Sequence, residues 1–110
     1  MAANVVDWDA VPPEGPEGGV RKRRIDGAGV DLVRVEIPAG TKAPRHSHAF
    51  EQFVQVVAGG GTLETEAGVR EFRQGSVFHF PPEAWHAAEF TSDTVLIETN
   101  LHDATPPPGG

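Results

Sequence analysis

Residues 40–59, GTKAPRHSHAFEQFVQVVAG, constrain the fold more than any other stretch of the chain. The segment otherwise reads as β-strand, rich in Val and Phe, and glycine stands at both ends. In an extended strand, side chains two apart leave the same face about 6.6 Å from each other. Extended structure running unbroken over 45–57 therefore places His46, His48, Phe50, Gln52, Val54 and Val56 on one face, with Glu51, Phe53, Gln55 and Val57 on the other. Two imidazoles so arranged can lean onto one metal ion at roughly 2.1 Å each. Parity also makes Gln52 a better further ligand than Glu51, even with a bend or bulge after His48.

The rest of the chain has the punctuation of short strands joined by turns. Thirteen Gly and ten Pro in 110 residues, with no sustained helical period, predict a mostly β domain. Residues 30–37, VDLVRVEI, read as a half-buried strand. TLETEAGVREF after Gly61 reads as a hairpin turning around Glu66 to Gly68, followed by SVFHF and a turn at Pro81 and Pro82. In WHAAEF, His86 shares parity with Ala88 and Phe90, and the last strand is predicted at 94–99. Residues 1–19 form an extension whose Val5, Val6 and Trp8 are expected to dock on the main domain or on a partner subunit. Residues 20–102 make a single domain, and the Pro- and Gly-rich tail 103–110 is expected to be disordered. The basic run Arg21 to Arg24 reads as a solvated strand face.

Charge and composition narrow the function classes. A formal net charge of -7 argues against nucleic acid or an anionic membrane surface as partner. With no cysteine, any metal must be held by nitrogen and oxygen. No run approaches about 18 apolar residues and the N-terminus lacks a basic, then apolar, leader, so a cytoplasmic location is expected. Of the five histidines, His86 on a second strand can complete a set of three imidazoles with His46 and His48. His79 and His102 lack partner spacing and read as solvated or internally satisfied.

Two spaced motifs carry a resemblance. The first is Gly40, His46, His48, Gln52 and Gly59; the second is Gly75, Pro81, Glu83, His86 and Phe90. In this order the chain resembles a small single-domain, RmlC-like cupin of the HSHxxEQ type; the wider family usually has Glu at the Gln52 place, Gly at Glu83 and Asn at Phe90. The resemblance implies a double-stranded β-helix, or jelly-roll barrel, with His46, His48 and His86 binding a divalent transition metal (Zn, Ni, Fe, Mn or Co). Some cupins use Gln as the fourth ligand. A neutral amide there leaves the ion more electrophilic and suits substrates that bring a carboxylate or enolate.

The chain is also distantly similar to the small cupins that open unsaturated uronate rings in pectin and alginate breakdown. In those enzymes the final strand has D-x-F, then a turn and an arginine. Here Glu98 takes the Asp place and Asn100 the Phe place, and no arginine follows Arg73, so a clamp for a substrate carboxylate would come from Arg23, Arg24 or Arg34.

The resemblance thus implies a metal-dependent isomerase or lyase acting on a small oxygen-rich or carbohydrate-derived molecule, with Glu98 moving a proton. An outward-facing strand acid is the plainer account of Glu98. An Fe-dependent dioxygenase and a non-catalytic binding module are the alternatives. Trp85, Phe50, Phe78, Phe80 and Phe90 are candidates for an apolar pocket wall or for core. A homodimer is expected from the resemblance, through the outer Phe53 and Val57.

Overall fold

The structure, a computed structural model, describes residues 2–102. The 103–110 tail and its expected disorder lie outside the described residues. Among the described residues, nine strands follow a single 3-10 turn at Trp8–Ala10: β1 (Arg21–Asp26), β2 (Val30–Ile37), β3 (Lys42–His46), β4 (Glu51–Ala58), β5 (Gly60–Thr65), β6 (Gly68–Arg73), β7 (Val77–Phe80), β8 (His86–Phe90) and β9 (Thr94–Leu101). They build two antiparallel sheets, one in the order β1-β2-β9-β4-β7 and the other β3-β8-β5-β6. The fold is the all-β jelly roll that the motifs imply.

Alternation along the strands decides what lies between the sheets. In β2, Asp31, Val33, Val35 and Ile37 are buried, and in β4 Gln52, Val54 and Val56. Phe72, Phe78, Phe80, Phe90 and Leu96 complete the apolar core. Phe72 meets Phe78 and Phe90 edge to face, with centroids 5.0 and 5.7 Å apart, the arrangement that aromatic quadrupoles favour. The last strand extends past the predicted 94–99 to Leu101, because it is sandwiched between β2 and β4 and pairs with both along its length.

One expectation is corrected. Extended structure does not run unbroken over 45–57. β3 ends at His46 and pairs with β8 in the four-stranded sheet, while β4 begins at Glu51 between β7 and β9 in the other sheet. Residues 47–50 carry the chain across, and β3 itself contains an irregularity between Ala43 and His46. The inner parity of Gln52, Val54 and Val56 survives because it belongs to β4 alone.

Two turns hold the chain before and after β4. Glu83, in the turn before β8, adopts φ +68°, and its N–H donates to the His48 carbonyl at 2.7 Å. That bond ties the loop carrying His48 to the strand carrying His86. At the far end of β4, Gly59 has φ +88°, and a Cβ there would lie 2.4 Å from the Asp93 carbonyl oxygen.

The N-terminal extension lies against β1. The Arg23 guanidinium donates to the carbonyls of Trp8 and Val11 at 3.0 and 3.1 Å, and Glu14 exchanges two backbone bonds of 2.8 Å with Lys22. Val5 and Val6 remain exposed.

Candidate metal centre

The three histidines of the motifs converge by strand pairing rather than by spacing along one strand. His46, the last residue of β3, stands opposite His86, the first of β8. His48 reaches the same point from the crossing loop, held by the Glu83 bond. Their candidate ligand atoms all lie within 4.8 Å of one another, and the ring centroids are 4.2 to 5.5 Å apart.

Two of the rings are oriented from behind by backbone carbonyls. His46 Nδ1 lies 2.8 Å from the Pro44 carbonyl and His86 Nδ1 lies 3.2 Å from that of Ala84. A carbonyl only accepts, so Nδ1 carries the proton in both and Nε2 keeps its lone pair for the cluster. Phe80 stacks on His86 at 3.7 Å with 1° between the planes, and Phe50 stacks on His48 at 4.8 Å.

Burial, then the neighbouring His46, drive the His86 imidazole down to about 4 against the opposing Ala84 carbonyl bond. Burial, then His46 and Lys22, lower His48 as well. Both rings are therefore neutral donors near pH 7, as a metal requires.

Gln52 lies 4% exposed on β4 and donates from Nε2 to Asn100 Oδ1 at 2.7 Å, which leaves its Oε1 for the cavity it lines. That cavity, about 190 Å³, is walled by His46, His86, Gln52 and Glu98 together with apolar residues of both sheets. Glu98, on β9, sits one inner row away, opposite Val33 and Val54. Burial raises its carboxyl above the ordinary range, moderated by the charges of Lys22 and Arg24.

Several side chains stand elsewhere than the sequence suggests. None of the three arginines expected for a clamp lines the cavity. Arg23 holds the extension, Arg24 pairs with Asp31, and Arg34 pairs with Glu36. The cation at the cavity is Lys22, which sequence reasoning missed because both faces of RKRRID read as charged. The register of β1 against β2 identifies it: Lys22 lies opposite the buried Val35, so it leaves the inner face of the sheet and stands exposed at the rim of the cavity.

Phe78, Phe80 and Phe90 line the cavity, whereas Phe50 and Trp85 do not. Trp85 lies under the Arg45 guanidinium, whose Cζ is 3.7 Å from the Trp85 ring centroid. His79 pairs with Glu51 at 2.7 Å on the outer face, and His102 Nε2 lies 3.2 Å from Asp31 Oδ1.

The donor set suits a divalent ion on this chain's own evidence. Three imidazoles bring ring nitrogens to one point, two of the rings are neutral near pH 7, and a buried amide oxygen borders the same cavity. Nitrogen and neutral oxygen donors match Zn, Ni, Fe, Mn or Co, and not Ca or Mg, which take oxygen sets.

The cupin domain family matches residues 33–99, more than half of the chain. Among solved structures, an RmlC-like cupin from Shewanella frigidimarina aligns with a TM-score of 0.82 at 19% identity, covering 94% of each chain. KdgF from a Halomonas species aligns at 0.77 and 23% identity over 86% of this chain and 90% of its own. Ectoine synthase from P. lautus aligns at 0.80 and 17% identity over 91% and 78%. No curated protein matches the chain in sequence.

Proposed function

We propose, from the premise that the chain belongs to the cupin domain family, that it is a metal-dependent enzyme of isomerase or lyase type. Its substrate is a small oxygen-rich or carbohydrate-derived molecule bearing a carboxylate. The observation that carries this reading is the placement of Glu98, an acid raised by burial, on the wall of the cavity that His46, His86 and Gln52 border. His46, His48, His86 and Gln52 would hold a divalent transition ion, which when bound polarises a carbonyl or hydroxyl oxygen as a Lewis acid.

The chain's own groups supply the rest. A carboxyl raised by burial is suited both to take and to return a proton, so Glu98 would remove one from a carbon or hydroxyl of the bound substrate and return it to another atom of the same substrate, which leaves the atoms of an isomerisation in balance. Lys22 supplies a positive charge at the cavity for an anionic substrate group, the task that no arginine is placed to perform. Phe78, Phe90 and Leu96 keep the cavity wall apolar, which strengthens the charge effects inside it.

The resemblance to uronate-ring-opening cupins makes an unsaturated uronate the first substrate to assay, by loss of its ultraviolet absorbance. Replacing His46 and His48 together by Ala abolishes turnover and leaves a folded barrel; turnover retained in that variant refutes the proposal. Oxygen uptake with Fe(II) during turnover would instead favour a dioxygenase, and a tightly held, unconverted ligand would favour a binding module.

The homodimer belongs to the same proposal. Leu32, Thr99, Phe53 and His79 form one outer row across β2, β9, β4 and β7, and Leu32, Phe53, Val57 and Val77 are exposed apolar side chains of that sheet. Such a surface supports pairing of two copies through the five-stranded sheet.

A further inference from the structure

Three polar side chains form a single row across the inner face of the five-stranded sheet. Asn100 on β9 stands directly opposite Asp31 on β2 on one side and Gln52 on β4 on the other. Residues directly opposite in such pairs have Cβ atoms about 4.5–5.5 Å apart, so their side chains interact. All three are buried: Asp31 and Asn100 are 5% exposed and Gln52 4%. Polar groups so buried need partners, and the order of donors and acceptors along the row is constrained.

We propose that Asp31 and Asn100 are positioning residues that fix which end of the Gln52 amide faces the histidine cluster. An ionised carboxylate only accepts hydrogen bonds. Asn100 therefore turns its NH2 toward Asp31 and its Oδ1 toward Gln52. Gln52 must then give its NH2 to that oxygen, the 2.7 Å bond observed, and its Oε1 is the atom left at the cavity. Each amide could otherwise stand either way round, and the carboxylate at the head of the row removes the choice from both.

The head of the row is itself anchored. Asp31 Oδ2 pairs with Arg24, and His102 Nε2 lies 3.2 Å from Oδ1, which has no hydrogen bond of good geometry from the protein. Burial alone would raise the Asp31 carboxyl, but the adjacent His102 and Asn100 side chains and the charge of Arg24 outweigh it and hold it below the ordinary range. The row also explains a departure from the motif. A Glu at position 52 would need Asn100 to present NH2 to it, which would turn Asn100 Oδ1 against the Asp31 carboxylate. Gln at 52 and Asp at 31 are thus a matched pair. The inference rests on the metal-binding reading for what Gln52 Oε1 does, and on the row alone for where it points.

The test is a double-mutant cycle on the metal-free protein at pH 8, with D31N, Q52E and D31N/Q52E. Q52E lowers the Tm by about 5 °C or more, and adding D31N restores part of that loss, because the amide that D31N introduces can donate to the turned Asn100. Additive Tm shifts overturn the proposal. Side-chain amide NMR of the wild type decides the matter even where a variant fails to fold. NOEs from the Gln52 NH2 to the Asn100 β protons are expected, and NOEs from it to the His46 or His86 ring protons overturn the row. With Co(II) as probe, D31N binds about tenfold more weakly than wild type, as loss of an outer partner of a metal ligand does. Unchanged Co(II) affinity in D31N contradicts the positioning role. A wild type that takes up no Co(II) sinks the metal reading while the metal-free cycle still decides the orientation.

Discussion

At the residue scale, four side chains carry consequences that can be measured. Glu83 occupies a left-handed backbone conformation, and a non-glycine residue there costs about 1–2 kcal/mol, part of which glycine returns through its looser unfolded chain. Glu83→Gly should therefore raise stability by roughly 0.5–1 kcal/mol in chemical denaturation, with the His48 bond kept because it uses the backbone N–H. His86 gives a pH signature. Its folded value of about 4 lies below the ordinary value of 6.5, so the unfolded chain binds more protons between these limits. Stability of the metal-free protein is then fully present above about pH 6.5 and falls as pH drops toward 4, and a His86→Gln variant flattens that slope in thermal melts across the window. Glu98, raised by burial, works in the opposite sense at the acid end, because its protonation favours the fold. Lys22→Met should raise KM for an anionic substrate by about tenfold or more while leaving bound metal unchanged, since a lost charge pair of this kind is worth on the order of 1.5–3 kcal/mol. Equal KM values for wild type and variant would remove Lys22 from the substrate site.

At the scale of elements, the strands were legible where alternation was clean. Val33, Val35 and Ile37, and then Gln52, Val54 and Val56, face inward as a period of two requires. The break at 47–50 was not legible, because an H-x-H pair satisfies the same parity whether the strand continues or turns into a second sheet. Sequence spacing thus suggested the three histidines for a different reason from the one that assembles them, which is the pairing of β3 with β8. Lys22 and the Asp31, Asn100 and Gln52 row were hidden for a related reason. Both depend on register between strands far apart in sequence, and a single strand's pattern says nothing about its neighbour's offset. Gly59 tests the packing of these elements. With φ +88° and a Cβ that would sit 2.4 Å from both the Asp93 carbonyl oxygen and Thr94 Oγ1, Gly59→Ala combines strain and a backbone clash, and should cost about 2–4 kcal/mol in denaturant titration.

At the scale of the whole molecule, the two sheets enclose a largely apolar cavity that His46, His86, Gln52, Lys22 and Glu98 border, and among the described residues no helix is long and apolar enough to cross a membrane. The outer face of the five-stranded sheet predicts the assembly. Phe53→Arg should shift the protein from dimer to monomer by light scattering at micromolar concentration, and a wild type already monomeric there contradicts the dimer. The proposed chemistry depends throughout on the metal. Elemental analysis of the purified protein, after incubation with Zn, Ni, Fe, Mn and Co and removal of free ions, should find about one transition ion per chain in the wild type and almost none in His46→Ala/His48→Ala. A wild type that remains metal-free, or a variant that keeps its ion, would contradict the metal centre.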